Sequence, residues 1–313
     1  MAENEVQQVQ TEQNPAEEQK KLTVVQRIGY ILLGVTPIFT ILTIQSITQI
    51  PFLILASVDI AKNAKALGVT DPMEATRILM EVFNEKYAFY AYLLYTFFGF
   101  LVFGLWYFFE FVKKSPKVKA KQIFGVKSLI AVIAAVLGMY FIISAGFILA
   151  YQFFPEAMDS YAELMENSGI GSNTLITIIY VIFLGPVLEE LCVRGVSYGY
   201  IEKSGIGPAF NILITGILFG VMHLNVVQGI YAAFLGFMLA FFRYKYRSIR
   251  ITIVTHILFN LMGTYGEVLV VNRLIQSEGV HLILGGVALF VIVFVFLLVN
   301  SDKKAVHASE GKK

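Results

Sequence analysis

The stretch Thr174–Tyr200 reads TLITIIYVIFLGPVLEELCVRGVSYGY, and it places three ionisable side chains, Glu189, Glu190 and Arg194, inside an apolar run. Nothing else between Gly171 and Ile201 is charged. A run this long and this apolar reads as a membrane-spanning helix. Charge at that depth costs at least ~2.5–3.5 kcal/mol per group, so it must face a partner or a wet cavity. Glu190 and Arg194 stand at i and i+4, stacked on one helix face, where each neutralises the other. Glu189 points ~100° away and has no local partner. Its charge is the one that a function has to explain.

Working outward, the whole chain shares this character. Of 313 residues 57% are hydrophobic and only 15% charged, with 27 Phe, a composition that excludes an ordinary soluble domain. The fold class expected is all-α, a polytopic membrane protein of about eight transmembrane helices. The spans are expected at about 28–60, 87–112, 129–154, 174–200, 208–224, 227–242, 251–265 and 280–300. Residues 1–20 are Gln- and Glu-rich and read as a disordered tail without a cleavable signal peptide. Residues 21–300 form the membrane-embedded domain and 301–313 a C-terminal tail. Pro37 and Pro51 predict a kinked first span with an interfacial extension. Asp71-Pro72-Met73-Glu74 predicts the start of a surface-lying helix ahead of the second span. Lys113, Lys114, Lys117, Lys119, Lys121 and Lys127 form a loop without one acid, which belongs in the cytoplasm. Glu156, Asp159, Glu163 and Glu166 mark the next loop as external, and Arg243, Lys245, Arg247 and Arg250 return the chain to the cytoplasm. Both termini are therefore expected inside. The single cysteine, Cys192, permits no intrachain disulfide.

Two of the four histidines fall in apolar segments. His223 closes Phe219-Gly220-Val221-Met222-His223, and His256 opens His256-Ile257-Leu258-Phe259-Asn260. His256 and Asn260 share one helix face, a turn apart. Helix rise places Glu189 and His223 at a similar depth, ~22 Å from the cytoplasmic ends, with His256 and Asn260 nearer that side at ~9–15 Å. A buried carboxylate beside a histidine can hold and deprotonate water. A second histidine and an asparagine amide can donate to a developing oxyanion. This set suits water attack on an amide carbonyl. Glu189, His223 and His256 would also make a zinc site with an open fourth position.

The series Glu-Glu-x-x-x-Arg, Phe-x-x-x-His and His-x-x-x-Asn, in order on successive spans, resembles the CAAX protease and bacteriocin-processing family, which includes the Rce1-type CAAX endopeptidases and the bacterial Abi proteins. The resemblance covers about residues 174–263; the first three spans carry no matching motif. It implies an intramembrane endopeptidase of membrane-associated peptides or proteins, in a bacterial plasma membrane, with no nucleic-acid partner. It further implies that Glu189 activates water with His223, that His256 and Asn260 form the oxyanion site, and that Glu190, Arg194 and Phe219 are structural support. The family has been described both as metal-dependent and as a metal-free glutamate protease. No cofactor is favoured here, because no third strong ligand is evident beyond Glu189, His223 and His256, which stay the alternative zinc ligands.

Two other readings compete. One is a non-catalytic membrane protein of the same fold, acting in bacteriocin immunity or partner binding; an intact constellation argues against it. The other is a proton-coupled transporter relaying through Glu189 and the histidines; the absence of an inverted repeat argues against that. Cys192 reads as a packing residue, and Gly216 and Gly220 as a close helix contact.

Overall fold

The computed structural model describes residues 22–67, 71–113, 120–167, 178–266 and 277–302. The expected N-terminal tail, most of the lysine loop, the start of the fourth span and the C-terminal tail lie outside them. The described residues form helices and no strand: α1 Val24–Leu67, α2 Pro72–Val112, α3 Val126–Phe153, α4 Pro155–Asn167, α5 178–203, α6 Pro208–Val221, α7 Val226–Tyr246, α8 Ile249–Gly266 and α9 Glu278–Ser301. The molecule is a polytopic all-α membrane protein.

Five of these helices are long and apolar enough to cross a membrane: α1 over Val24–Lys62, α2, α3, α7 and α9. α6 is apolar but shorter. The other two expected spans, α5 and α8, carry Glu189, Glu190, Arg194, His256 and Asn260, and those polar side chains keep both below a purely apolar standard. α4, with its acidic residues and a buried Met158, lies outside the expected eight.

Local chemistry sets several boundaries. Asp71 caps α2 as its sequence predicts, its carboxylate accepting from the Met73 N–H at 3.1 Å with Pro72 at the first position. No break separates the surface turn from the second span, however. A widened π-turn at Phe83–Tyr87 carries one helix through to Val112, since the sequence FNEKY offers neither Gly nor Pro to stop it. α1 is likewise one unbroken helix, with Pro37 and Pro51 inside it.

α5 is the axis of the core. Leu188, Cys192, Val193 and Val196 are fully buried against Ile38 and Ile41 of α1, Phe103 of α2, Val136 and Met139 of α3, Phe219 of α6, Leu235 and Leu239 of α7, and Phe259 of α8. Around this core the outer surface is apolar, with Phe97, Phe290 and Leu297 more than half exposed, as the hydrocarbon of a bilayer requires. α6 and α7 form a tight hairpin. A Cβ added at Gly236 would stand 2.9 Å from the Cα and the carbonyl oxygen of Gly216, and one at Gly220 would collide with the Gly229 carbonyl. Small residues here let two backbones touch, as the Gly216/Gly220 spacing predicts.

Candidate active site

α5 is not a uniform α-helix. Widened π-turns at Tyr180–Leu184 and Leu191–Ser197 flank one regular segment, Gly185–Glu190, which ends on the two glutamates. Pro186 explains the first. The Gly185 N–H reaches back to the Tyr180 carbonyl, and Pro186 has no N–H to give the Val181 carbonyl behind it. Asn260 of α8 supplies the missing donor, its Nδ2 standing 2.8 Å from the Val181 oxygen. One amide N–H of Asn260 thus anchors α8 to α5, and the amide's other hydrogen remains for a ligand.

The two glutamates divide as their helix angles predict. Glu190 is wholly buried, and its Oε1 accepts from Arg194 Nη1 at 2.8 Å and from His256 Nδ1 at 3.1 Å. Arg194, equally buried, donates through Nη2 to the Gly236 carbonyl of α7 at 2.9 Å and lies 4.3 Å over the centre of the Phe219 ring. Glu189 keeps about a quarter of its side chain accessible (23%) and faces His256 Nε2 at 3.7 Å, longer than a hydrogen bond. Tyr95 of α2, Tyr180 of α5 and Tyr231 of α7 lie close enough to feel its charge.

His256 therefore bridges the glutamates. Its Nδ1 faces a carboxylate oxygen and so carries a hydrogen, which directs Nε2 toward Glu189. Simple helix rise sets His256 well toward the cytoplasm relative to Glu189, and the structure corrects that: the two meet. α8 begins among packed residues, with Ile249 and Ile251 buried. Widened turns in α5 also advance the chain less per residue than α-turns do.

His223 is placed differently from the sequence expectation. α6 ends at Val221, and His223 stands on the turn to α7, before Leu224 in a left-handed conformation (φ 56°). Its Nδ1 is 2.8 Å from the Phe219 carbonyl, which can only accept, so Nδ1 carries the hydrogen and neutral His223 keeps Nε2 as an acceptor. Among the described residues the ion-pair neighbour of Glu189 within 4 Å is His256, not His223. Phe219 links the two histidines: His223 and His256 meet its ring edge-on at 5.2 and 5.5 Å, while Arg194 covers a face. Cys192 is buried in the core with its Sγ 3.5 Å from the Pro37 carbonyl.

As placed, Glu189, His223 and His256 do not gather as a zinc ligand set, and among the described residues no three His, Cys, Asp or Glu side chains do. Sequence reasoning missed the Glu190–His256 bond, the tyrosines around Glu189 and the π-turns. Only the last had a visible signal, Pro186 inside an apolar run.

Fold and polar cluster together describe a polytopic helical membrane protein with ionisable side chains gathered at its core. Residues 171–262 match the family described as "Type II CAAX prenyl endopeptidase Rce1-like". The chain is also 28% identical over 109 residues to the "Putative membrane peptidase YdiL" of Bacillus subtilis (strain 168), a match covering 34% of this chain and 44% of that relative. No solved structure matches. Through that segment the chain is similar to Rce1-like CAAX endopeptidases and to a membrane peptidase of which it spans less than half the length.

Proposed function

We propose that the protein is an intramembrane endopeptidase that cleaves membrane-associated peptides by attack of a water activated at Glu189. The observation that carries this reading is the division of labour between neighbouring carboxylates. Glu190 is wholly buried and paired through Oε1 with both Arg194 and His256, whereas Glu189 is partly open and, among the described residues, its one ion-pair neighbour is His256 Nε2, at a distance that leaves a hydrogen bond unmade. Water bound at Glu189, with the acceptor Nε2 of His223 as a second anchor, gives its proton to the carboxylate as its oxygen attacks the scissile carbonyl. The oxyanion that forms accepts from a hydrogen on His256 Nε2 and from the second amide hydrogen of Asn260. Glu189 then returns the proton to the leaving nitrogen, the C–N bond breaks, and a carboxylic acid and an amine separate.

This scheme uses each residue once and assigns no step to a metal. A three-ligand zinc site would take Glu189, His223 and His256 together and leave no free carboxylate as base unless Glu190 abandoned Arg194. The test is cleavage of a library of membrane-anchored peptides by purified protein in liposomes. Discrete cleavage, unaffected by EDTA or phenanthroline, is expected. A protein that cleaves no member, or that regains activity only with stoichiometric zinc, contradicts the proposal.

A further inference from the structure

Two carbonyls of α5 stand where its turns change width, and each is taken up by a side chain from another helix. Asn260 takes that of Val181; Arg243 of α7 takes that of Arg194, with Nε 3.2 Å from the oxygen. The last widened bond runs from the Tyr198 N–H to the Val193 carbonyl, and regular α-turns resume at Tyr198. The ladder therefore passes over the Arg194 carbonyl, which, buried and unpaired, would weaken this turn. Arg243 is itself about nine-tenths buried (9% exposed), and its guanidinium lies over the Tyr198 ring at 5.1 Å. Glu202, near the end of α5, is paired with Arg247. The exchange is reciprocal: the Arg194 side chain grips the α7 backbone at Gly236, and two turns on, Arg243 grips the α5 backbone at Arg194.

We propose that Arg243 is a positioning residue for the reaction. By capping the Arg194 carbonyl it holds the widened turn Leu191–Ser197 in the register that seats Arg194 against Glu190 and leaves Glu189 facing His256. The inference rests on the proteolytic reading above for its kinetic arm alone.

The test compares Arg243→Met, which removes the donor, with Arg243→Gln, whose Nε2 takes the position of the arginine Nε without the charge. Both are assayed on the fastest-cleaved member of the membrane-anchored peptide library, and backbone hydrogen exchange across 191–203 is followed by mass spectrometry. For Arg243→Met, kcat falls ~10–100-fold, as small misplacements of catalytic groups do, with faster exchange. Its KM stays within about threefold, and Arg243→Gln restores both kcat and exchange. An unchanged kcat in Arg243→Met overturns the proposal. So does a raised KM at constant kcat, which would make the guanidinium a substrate contact. Equal loss in the two variants overturns it too, because the charge rather than the donor would then matter. Should Arg243→Met not fold, a slow Arg243→Gln is the overturning result and a fast one the supporting result. If the wild type cleaves no probe, the proteolytic reading fails by itself, and unchanged exchange in Arg243→Met separately removes the cap.

Discussion

Glu189 and Glu190 are adjacent in sequence and opposite in circumstance, and one rotation of ~100° about the helix axis separates them. The i, i+4 rule is enough to foresee the Glu190–Arg194 pair, because both partners lie on one helix and its geometry fixes their meeting. His256 was not foreseeable as the third member. Its bond to Glu190 spans 66 residues, and it depends on how deep α8 starts, which no local pattern encodes. Because Glu190 carries both a buried cation and a histidine, Glu190→Gln is expected to destabilise the protein by ~3–5 kcal/mol, the usual cost of stranding one partner of a buried pair. Thermal unfolding in detergent measures this, and a Glu190→Gln protein as stable and active as the parent would show the pair to be dispensable. His256→Ala is expected to be milder for stability and severe for rate, since the Arg194–Glu190 bond survives. Activity within about tenfold of the parent would remove His256 from the oxyanion site, where losing one donor usually costs 10²–10³ in kcat.

At the scale of elements, the site is built by interruptions of regular helix. Pro186 empties the Val181 carbonyl and Asn260 fills it; the Leu191–Ser197 turn passes over the Arg194 carbonyl and Arg243 fills that. The sequence announces the helix, through its apolar run, and even its central place. Apart from Pro186, nothing marks the widened turns, because apolar periodicity cannot distinguish one extra residue per turn over five to seven residues. The α6–α7 hairpin was more legible, since Gly216 and Gly220 have little reason to recur four apart except backbone contact. Gly236→Ala is expected to push the hairpin apart, because its Cβ would stand 2.9 Å from Gly216, and to move the carbonyl that holds Arg194. Overpacking of this kind costs ~1–3 kcal/mol. An unaltered unfolding temperature for Gly236→Ala would mean that the two backbones are not in contact.

For the whole molecule, charge rather than packing sets the orientation. The lysine-rich connection after α2 and the acidic α4 predict opposite sides of the membrane, with both termini in the cytoplasm. A cysteine in place of Lys113 is expected to react with an impermeant maleimide only from the cytoplasmic side, and one in place of Glu163 only from outside. Cys192, fully buried, should not interfere. The reverse pattern would overturn the expected orientation. The class of fold was readable throughout, because apolar runs of this length have one stable form in a bilayer; which helices share the centre was not, because that depends on contacts between distant segments. The central claim, that the open carboxylate rather than the paired one does the chemistry, is tested most directly by Glu189→Gln on a cleaved membrane-anchored peptide, with folding monitored in parallel. The account predicts complete loss of cleavage at wild-type thermal stability, and a Glu189→Gln protein cleaving at the parent's rate would contradict it.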